Sequence, residues 1–484
     1  MSNDLNLICI CLDTFRTDLL DGKLDFVETP NLDRLAEKSV RFRNCFGECQ
    51  PTLQMRRSVF TGERGFPWNY NFDRRGHWHH AAGWHKIPPH QDTLAEILLR
   101  RGYLTGMVAD TYHMFKPTMN YTRGFANYEF VRGQETDNWK GGTPEMIEER
   151  IKGLVREPVN WDRHTGLTQY LYNTEFRQGE EDYSAARVFS AASDWLDLNA
   201  ANAPFFLWVD SFDPHEPWDP PSGYAEKYCS DYGGKDFVFP GAAWEKGEPS
   251  EEEIERIKAL YYGEVTFVDR WVGQLLDKID QLDLWEETIV MVLSDHGTQV
   301  MDHGKFGKTP ENLRAYNTKI LWDVYHPQLE EPSSVGSLTQ AHDVFPTALG
   351  LLDVPATSAG RDAWPLVEGE REKIRDHVVT GWAGWSEGKA TGYASVRDPD
   401  WNYIAPVGQE ESAEGVEAER LYDLEADPNE ERDVISAHPE VAASMRERLE
   451  AVIESPLPGS FNEVCDPAPF PLQRFHEYRK RAES

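Results

Sequence analysis

Continuous apolar runs alternate with amphipathic segments along the first three quarters of the chain. Four runs lack the polar alternation of a half-exposed strand and indicate strands buried on both faces of a parallel sheet. They cover residues 5–12, 104–109, 204–209 and 289–293. Between them, residues 184–198 and 251–282 space their apolar positions by three and four, as amphipathic helices do. The pattern predicts an α/β domain built on a doubly wound sheet.

Acidic and histidine residues follow each of the four predicted strands. The groups are Asp13, then Asp110 with His113, then the run from Asp210 to His215, and finally Asp295 with His296. Carboxyl ends of parallel strands meet at one edge of a sheet, where ligands bind in open α/β folds. We therefore expect one functional site at that edge.

The alternation of apolar runs with amphipathic segments ends near residue 365. Short runs at 378–381, 392–397 and 401–404, followed by a helical pattern at 438–454, predict a small antiparallel α+β unit. The predicted domains are 1–365 and 366–455, with a tail at 456–484. The tail is aperiodic and could contact a partner subunit, so a homo-oligomer is one expectation.

Charge and composition exclude some partners. The chain has 484 residues and a formal net charge of −34, which argues against nucleic acid and against anionic membranes. No apolar run is long enough to cross a bilayer and no secretory signal is visible, so a cytoplasmic location is expected. The six cysteines form no zinc-like double pair and are interpreted as core thiols.

Residues 51–62 combine a hydroxyl with guanidinium groups, in Thr52 and Arg56, and end in Gly62. A planar guanidinium fork matches the oxygen pair of a sulfate or phosphate. The alternative is an ordinary helix start, with Thr52 as the N-cap and the arginines on a solvated face. The following loop holds His77, His79, His80, His85 and His90 in spacings of no common metal site, which favours substrate contacts or a surface loop.

Asp13, Asp295 and His296 form a set of ligands suited to a divalent ion such as Zn, Mn, Ca or Mg. If Thr52 joins them, the metal can activate its hydroxyl. A second metal, held by Asp213, His215 and His303, stays open. Residues expected to move protons or neutralise charge on the transferred group are His113, His215, His303, Arg56, Lys305 and Lys308.

Several segments resemble the sulfatase family of the alkaline phosphatase superfamily, in the same order along the chain. They are Leu12-Asp13, residues 29–36 (TPNLDRLA), 57–62 (RSVFTG), 102–105 (GYLT), 213–217 (DPHEP), 294–297 (SDHG), 302–308 (DHGKFGK) and 421–424 (LYDL). The resemblance implies an alkaline-phosphatase-like α/β sandwich with a smaller C-terminal domain. It also implies hydrolysis of sulfate or phosphate esters through a covalent intermediate.

The chain departs from the family at the nucleophile. Sulfatases carry Cys-x-Pro-x-Arg, whose Cys or Ser becomes formylglycine, whereas here Thr52, Gln54 and Arg56 stand in those places. A Thr cannot become formylglycine, so none is expected, and the chain looks like the Thr-nucleophile branch of phosphonate monoester hydrolases and phosphodiesterases. Thr14 also replaces a usual second Asp, and the segment from Asp110 to His113 lacks the expected Lys.

The sequence thus predicts a metal-dependent hydrolase that cleaves phosphodiesters, phosphonate monoesters or sulfate esters through an adduct on Thr52. The substrate would be an anionic ester of a small molecule or a glycan. A strict sulfatase that uses unmodified Thr52 is the alternative within enzymes. A non-catalytic relative that binds glycans is the alternative from another class.

Overall fold

The computed structural model describes residues 5–459 except 21, 23, 69–83, 85, 118, 162, 163, 387, 388 and 410–414. The strands are β1 Asn6–Leu12, β2 Val40–Phe42, β3 Cys45–Phe46, β4 Cys49–Gln50, β5 Leu104–Ala109, β6 Asn127–Phe130, β7 Phe205–Ser211, β8 Thr288–Ser294, β9 Gln299–Val300, β10 Phe306–Gly307, β11 Trp322–Tyr325, β12 Ser333–Val335, β13 Thr339–Gln340, β14 Val378–Ser386, β15 Lys389–Arg397, β16 Trp401–Pro406 and β17 Arg420–Asp423. The α-helices are α1 Pro30–Ala36, α2 Thr52–Thr61, α3 Leu94–Arg100, α4 Pro144–Leu154, α5 Thr165–Asn173, α6 Ser184–Asn199, α7 Glu251–Gln281, α8 Ala315–Thr318, α9 Val344–Leu351, α10 Trp364–Val367 and α11 Pro439–Ile453.

Among the described residues the largest sheet has eight strands, in the order β12, β2, β11, β8, β1, β7, β5, β6. Strand β1 lies at its centre and pairs in parallel with both β7 and β8. All residues of β1, β7 and β8 are buried, as their apolar runs predict. The sheet is mixed rather than wholly parallel, because β11 runs antiparallel to β2 and β8.

Two hydrophobic cores cover the two faces of this sheet. Alternate residues of β1 enter different cores: Ile8, Ile10 and Leu12 pack on one side, and Leu7 and Cys9 pack on the other. This division follows from the two-residue period of a strand. The long helix α7 and helix α6 contribute to the first core, and α2 and α9 contribute to the second. The arrangement is the α/β sandwich that the sequence predicts.

A second sheet of five strands, in the order β17, β16, β15, β14, β4, occupies the C-terminal part of the described chain. Four strands follow residue 377, but the edge strand β4 comes from the segment just before Thr52. Its Cys49 and Gln50 pair in parallel with Gly381 and Trp382. A domain boundary near residue 365 stays a prediction, and the small sheet includes residues from both sides of it.

Some elements differ from the sequence prediction. Residues 130–175, for which the sequence analysis predicts no regular element, contain helices α4 and α5. Cys9, Cys11, Cys45, Cys49 and Cys229 are free thiols, and Cys465 lies outside the described residues. Histidines 77, 79, 80 and 85 and most of the tail also lie outside them. Within the described ranges, we find no helix that combines the length and apolar content of a membrane span.

Candidate active site

The carboxyl ends of β8, β1, β7 and β5 lie side by side at one edge of the central sheet. They carry the acidic groups that the sequence placed there: Asp295, Asp13, Asp210 and Asp110. All four carboxylates are fully buried. Buried carboxylates are stable only beside cations or hydrogen-bond donors, so a positively charged side chain or metal ion is expected at this edge of the sheet.

Asp13, Asp295 and His296 bring one ligand atom each within 4.8 Å of one another. His296 donates a hydrogen bond from Nδ1 to the Gly297 carbonyl oxygen (2.8 Å), which leaves Nε2 as the acceptor nitrogen. Nε2 lies 3.7 Å from Asp13 Oδ1 and 3.5 Å from Asp295 Oδ2. Burial lowers the pKa of His296 to about 4, so the ring is neutral at pH 7.

The donor set fits a divalent cation. His296 Nε2 is buried and has no hydrogen-bond partner within the described part of the chain, and Asp13 Oδ2 contacts only the Arg56 guanidinium, at 3.1 Å. Burial and then the Asp295 carboxylate raise the pKa of Asp13, because two negative groups share a dry site. Two carboxylates and a neutral imidazole with a free lone pair are a common ligand set for Zn or Mn and accept Mg or Ca.

Thr14 orients both carboxylates. Its hydroxyl donates to Asp13 Oδ1 (2.8 Å), and its backbone N–H donates to Asp295 Oδ1 (2.9 Å). It adopts this role with a φ of 62°, a left-handed conformation that is rare for a β-branched residue. The position where the family usually has a second Asp therefore supplies two hydrogen-bond donors here.

Arg56 is fully buried and joins three of the acidic groups. Its Nη1 contacts Asp295 Oδ2 (2.7 Å) and Asp13 Oδ2 (3.1 Å). Its Nε and Nη2 form a two-pronged contact with Asp210, at 2.9 and 2.8 Å. The guanidinium therefore balances part of the negative charge at the candidate metal site.

Thr52 is the first residue of α2 and is 2% exposed. The helix cap is Pro51 and Thr52 lies at the first helical position, so Thr52 is not the N-cap. The arginines do not face solvent either, since Arg56 and Arg57 are both buried. The carbonyl oxygen of Thr52 accepts a hydrogen bond from Arg56 Nη1 (3.1 Å), the nitrogen that also contacts Asp295.

The helix that carries Thr52 ends where the sequence predicts. Gly62 has a φ of 67° and its N–H caps the carbonyl of Ser58. A Cβ at this position would lie 2.6 Å from the side chains of Phe345 and Ser358. Glycine thus both permits the conformation and leaves room for the neighbouring helix.

Lys308, His215 and Glu216 form a second group beside the acidic cluster. Lys308 Nζ lies 2.8 Å from His215 Nε2 and 3.0 Å from Glu216 Oε2. His215 donates from Nδ1 to the Glu216 carbonyl (2.5 Å), so its Nε2 accepts from the ammonium. Burial, which disfavours the charged ring, lowers the pKa of His215 to about 3. His215 is therefore neutral, and Lys308 is the proton-bearing group of the pair.

His113 is buried against the aromatic rings of Trp84, Tyr112 and Phe212. Phe212 in turn stacks on His215, with ring centroids 4.2 Å apart. Lys116 Nζ lies 3.3 Å from His113 Nδ1. An amine thus lies beside this segment, three residues further along, but burial lowers the pKa of Lys116 well below its ordinary value.

His303 and Lys305 point to different neighbours. His303 donates from Nε2 to the Glu430 carbonyl (3.2 Å), and the Tyr316 hydroxyl lies 2.9 Å from its Nδ1. Lys305 pairs with Glu311 and is exposed. Among the described residues, neither makes a contact with the acidic cluster, and Asp13, Asp295 and His296 are the one set there with metal-binding geometry. Asp213 instead accepts hydrogen bonds from Gln134 and Ala185.

Sequence reasoning missed several residues of the site. Asp210, Glu216 and Lys116 lie in or beside polar runs already noted, but the partners of Asp210 and Glu216 are distant in the sequence and Lys116 lies outside the motif that was compared. The available signal for Asp210 was an acid near the end of a fully apolar strand. Such a residue needs a buried cation, and Arg56 is the residue that supplies it.

Comparison with known proteins places this geometry in context. The sequence model of the Sulfatase family matches residues 5–354. An arylsulfatase of Clostridium perfringens is 24% identical over 477 residues, which cover 89% of this chain and 90% of that protein.

Two solved structures share the fold. The phosphonate monoester hydrolase of Agrobacterium radiobacter superposes with a TM-score of 0.69 at 20% identity, covering 93% of this chain and 95% of that one. A protein solved in complex with its substrate D-glucosamine-2-N,6-O-disulfate superposes with a TM-score of 0.67 at 17% identity, covering 93% of this chain and 98% of that one.

Proposed function

Because the chain belongs to the sulfatase family, we propose that it is a metal-dependent hydrolase of sulfate, phosphate or phosphonate esters with Thr52 as its nucleophile. The observation that carries the proposal is the buried set of Asp13, Asp295 and His296, in which His296 Nε2 has no hydrogen-bond partner among the described residues, and Arg56 contacts both carboxylates and the backbone carbonyl of Thr52. Packing within the described chain gives the buried lone pair of His296 Nε2 no donor, which a metal ion would explain.

Asp13, Asp295 and His296 would hold the ion, with Thr52 as a further ligand. When bound, a divalent cation supplies Lewis-acid polarisation of the ester and lowers the pKa of a coordinated hydroxyl. The ion would be Zn, Mn, Mg or Ca, and the unmodified Thr side chain makes formylglycine chemistry inapplicable.

The remaining groups have distinct parts in the reaction. Thr52 Oγ1 would form a bond to sulfur or phosphorus while the bond to the leaving alcohol oxygen breaks. Lys308, whose ammonium is oriented by His215 and Glu216, would give a proton to that oxygen. The Thr52 hydroxyl would give its proton to solvent as it attacks. Water would then form a bond to the same sulfur or phosphorus while the bond to Thr52 Oγ1 breaks, a proton would return to Oγ1, and the oxyanion would be released.

Lys308, beside the acidic cluster, would contact the anionic head of the substrate, whereas the Arg56 guanidinium is already engaged by Asp13, Asp210 and Asp295. Lys116 lies beside His113, and the two rings of His113 and His215 are linked through Phe212. This path of polar and aromatic side chains supports an anionic ester of a small molecule or a glycan as the substrate. The likeness to the protein solved with a disulfated glucosamine is consistent with the glycan option.

The experiment compares Thr52→Ala and Thr52→Ser with the parent chain, each supplied with Mn or Zn. The substrates are nitrophenyl sulfate, bis-nitrophenyl phosphate and nitrophenyl phenylphosphonate. We expect Thr52→Ala to lose turnover of every ester that the parent cleaves and Thr52→Ser to retain part of it. Retention of most activity by Thr52→Ala would refute the assignment, and the ranking of the three esters separates a phosphodiesterase from a strict sulfatase.

A further inference from the structure

A cavity of about 180 Å³ lies between the second hydrophobic core and the small sheet, and three arginines line it. We call it the arginine cavity; its polar lining comprises Arg64, Arg361, Arg375, Gln340, Asp376 and His377. The whole chain carries a net charge of −34, so three guanidinium groups around one cavity stand out against a strongly acidic protein.

The carboxylates near these arginines are already engaged. Arg375 pairs with the buried Asp343 and donates to Gln340 Oε1 (2.9 Å). Arg64 pairs with Glu48 at 3.3 Å, and Glu48 also accepts hydrogen bonds from the backbone N–H groups of Gly65 and Phe66. These two pairs therefore leave little negative charge facing the cavity.

Arg361 adds a positive charge without an acidic partner. Its guanidinium donates to the Ile374 carbonyl, and among the described residues it forms no ion pair. Asp376, the acid in the lining, is paired with Lys373. The cavity therefore has an excess of positive charge, which an anion would neutralise.

Two donors in the lining are unused. Arg64 Nη2 and Arg375 Nε are buried and have no hydrogen-bond partner within the ranges that the structure describes. The side chain of Arg375 is only 9% exposed, so bulk water does not readily replace the missing acceptor. An unmet buried donor of a charged group is costly, which indicates that an acceptor from outside the chain belongs here.

His342 lies near the three arginines that line the cavity. It is 3% exposed, and its Nδ1 also lacks a hydrogen-bond partner among the described residues. Burial, followed by the charges of Arg375, Arg64 and Arg361, holds its pKa well below the ordinary value. The ring is therefore neutral and adds no positive charge to the three arginines.

We propose that the arginine cavity binds a tetrahedral oxyanion, sulfate or phosphate, at a site separate from the catalytic cluster. The guanidinium fork matches the oxygen pairs of such an anion, and the cavity has room for one. Arg64 follows the helix that begins at Thr52, and Gln340 donates to the Val379 carbonyl of the small sheet (2.9 Å). A bound oxyanion would therefore tie the far end of the nucleophile helix to that sheet.

The test uses the full chain and two variants, Arg361→Gln and Arg64→Gln. Arg375→Gln is avoided because it would leave Asp343 buried without its cation. Arg64→Gln removes the cation of the buried Glu48, which keeps hydrogen bonds from Ser58, Gly65 and Phe66, so Arg361→Gln is the principal variant and Arg64→Gln is used only if it remains folded. Arg371→Gln is the matched control, since it removes the same charge from an exposed position of the neighbouring loop. Each protein is titrated with sodium sulfate and with sodium phosphate by calorimetry, and its melting temperature is followed against sodium chloride of equal ionic strength.

The parent chain and Arg371→Gln should bind the oxyanion and melt at a higher temperature in its presence. Arg361→Gln and Arg64→Gln should weaken that binding at least about tenfold, because each removes a charged hydrogen-bond donor. Any anion bound at the catalytic cluster contributes equally to all four proteins, so it does not affect the comparison. Equal binding by Arg361→Gln and Arg371→Gln, or no binding beyond that of chloride, would overturn the proposal.

Discussion

Asp210→Asn tests the buried charge network around Arg56. Four hydrogen bonds reach this carboxylate: two from Arg56, one from Thr111 Oγ1 (2.5 Å) and one from Trp208 Nε1 (2.9 Å). Asp210 and Arg56 are both fully buried. The substitution keeps the shape of the side chain and removes its charge.

The expected loss follows from the geometry. An asparagine offers one acceptor oxygen and turns an NH₂ group toward donors that need an acceptor. Breaking a buried ion pair from one side costs about 3–5 kcal/mol. Since Asp13 and Asp295 still contact Arg56, we expect the lower end, about 3 kcal/mol of unfolding free energy.

The assay is urea unfolding of the metal-free protein, followed by tryptophan fluorescence. Asp277→Asn is the matched control, because Asp277 pairs with Arg34 at 2.9 Å on the surface, where both side chains are at least half exposed. That control should change the unfolding free energy by less than about 1 kcal/mol. If Asp210→Asn were as stable as Asp277→Asn, Arg56 would not depend on Asp210 and the network described here would be wrong.

Three further predictions follow from other contacts. Because burial lowers the pKa of His215 from 6.5 to about 3, the unfolded chain takes up that proton first. The stability from neutral His215 should be complete above about pH 6.5 and decline as the pH falls toward 3, and His215→Gln should flatten this part of a stability profile measured in EDTA. Thr14→Val removes the hydroxyl that orients Asp13 and should weaken Mn or Zn binding about 10- to 100-fold in a metal titration, whereas Thr14→Ser should preserve it. Glu430→Gln removes the buried carboxylate that Arg397 and Asn402 contact, and it should lower the unfolding free energy by about 2 kcal/mol in the same urea assay.

The sequence was most informative where one local rule governs the structure. The apolar runs at β1, β5, β7 and β8 gave buried strands within one or two residues of the predicted bounds, because burial on both faces leaves few other conformations. The family and the fold class expected from the ordered motifs are confirmed by the family match and the structural neighbours.

The sequence was less informative where a role depends on distant partners. Nothing in the sequence around Asp210 indicates its contact with Arg56, which is 154 positions away, and nothing around Glu216 indicates its contact with Lys308, which is 92 positions away. For His303 the local motif did not indicate the observed partners. The motif suggested a place in the catalytic cluster, whereas the residue has a left-handed backbone conformation and its side chain contacts Glu430 and Tyr316. The sequence analysis also did not predict the antiparallel direction of β11, because the direction of a strand is set by its connections rather than by its local sequence pattern.

Three expectations stay predictions: the roles assigned to the site residues, the cytoplasmic location and the association into homo-oligomers. Size-exclusion chromatography with light scattering would measure the last of these directly.

Strand β4 ends two residues before Thr52 and is hydrogen-bonded to β14 at Gly381 and Trp382. Any tilt of the small sheet is therefore carried by a few bonds of main chain to the candidate nucleophile, without an intervening side chain. Trp382 also faces His296, with ring centroids 5.9 Å apart. We therefore expect substitutions on β14 to alter turnover while every residue at the carboxyl edge of the large sheet is left as it is.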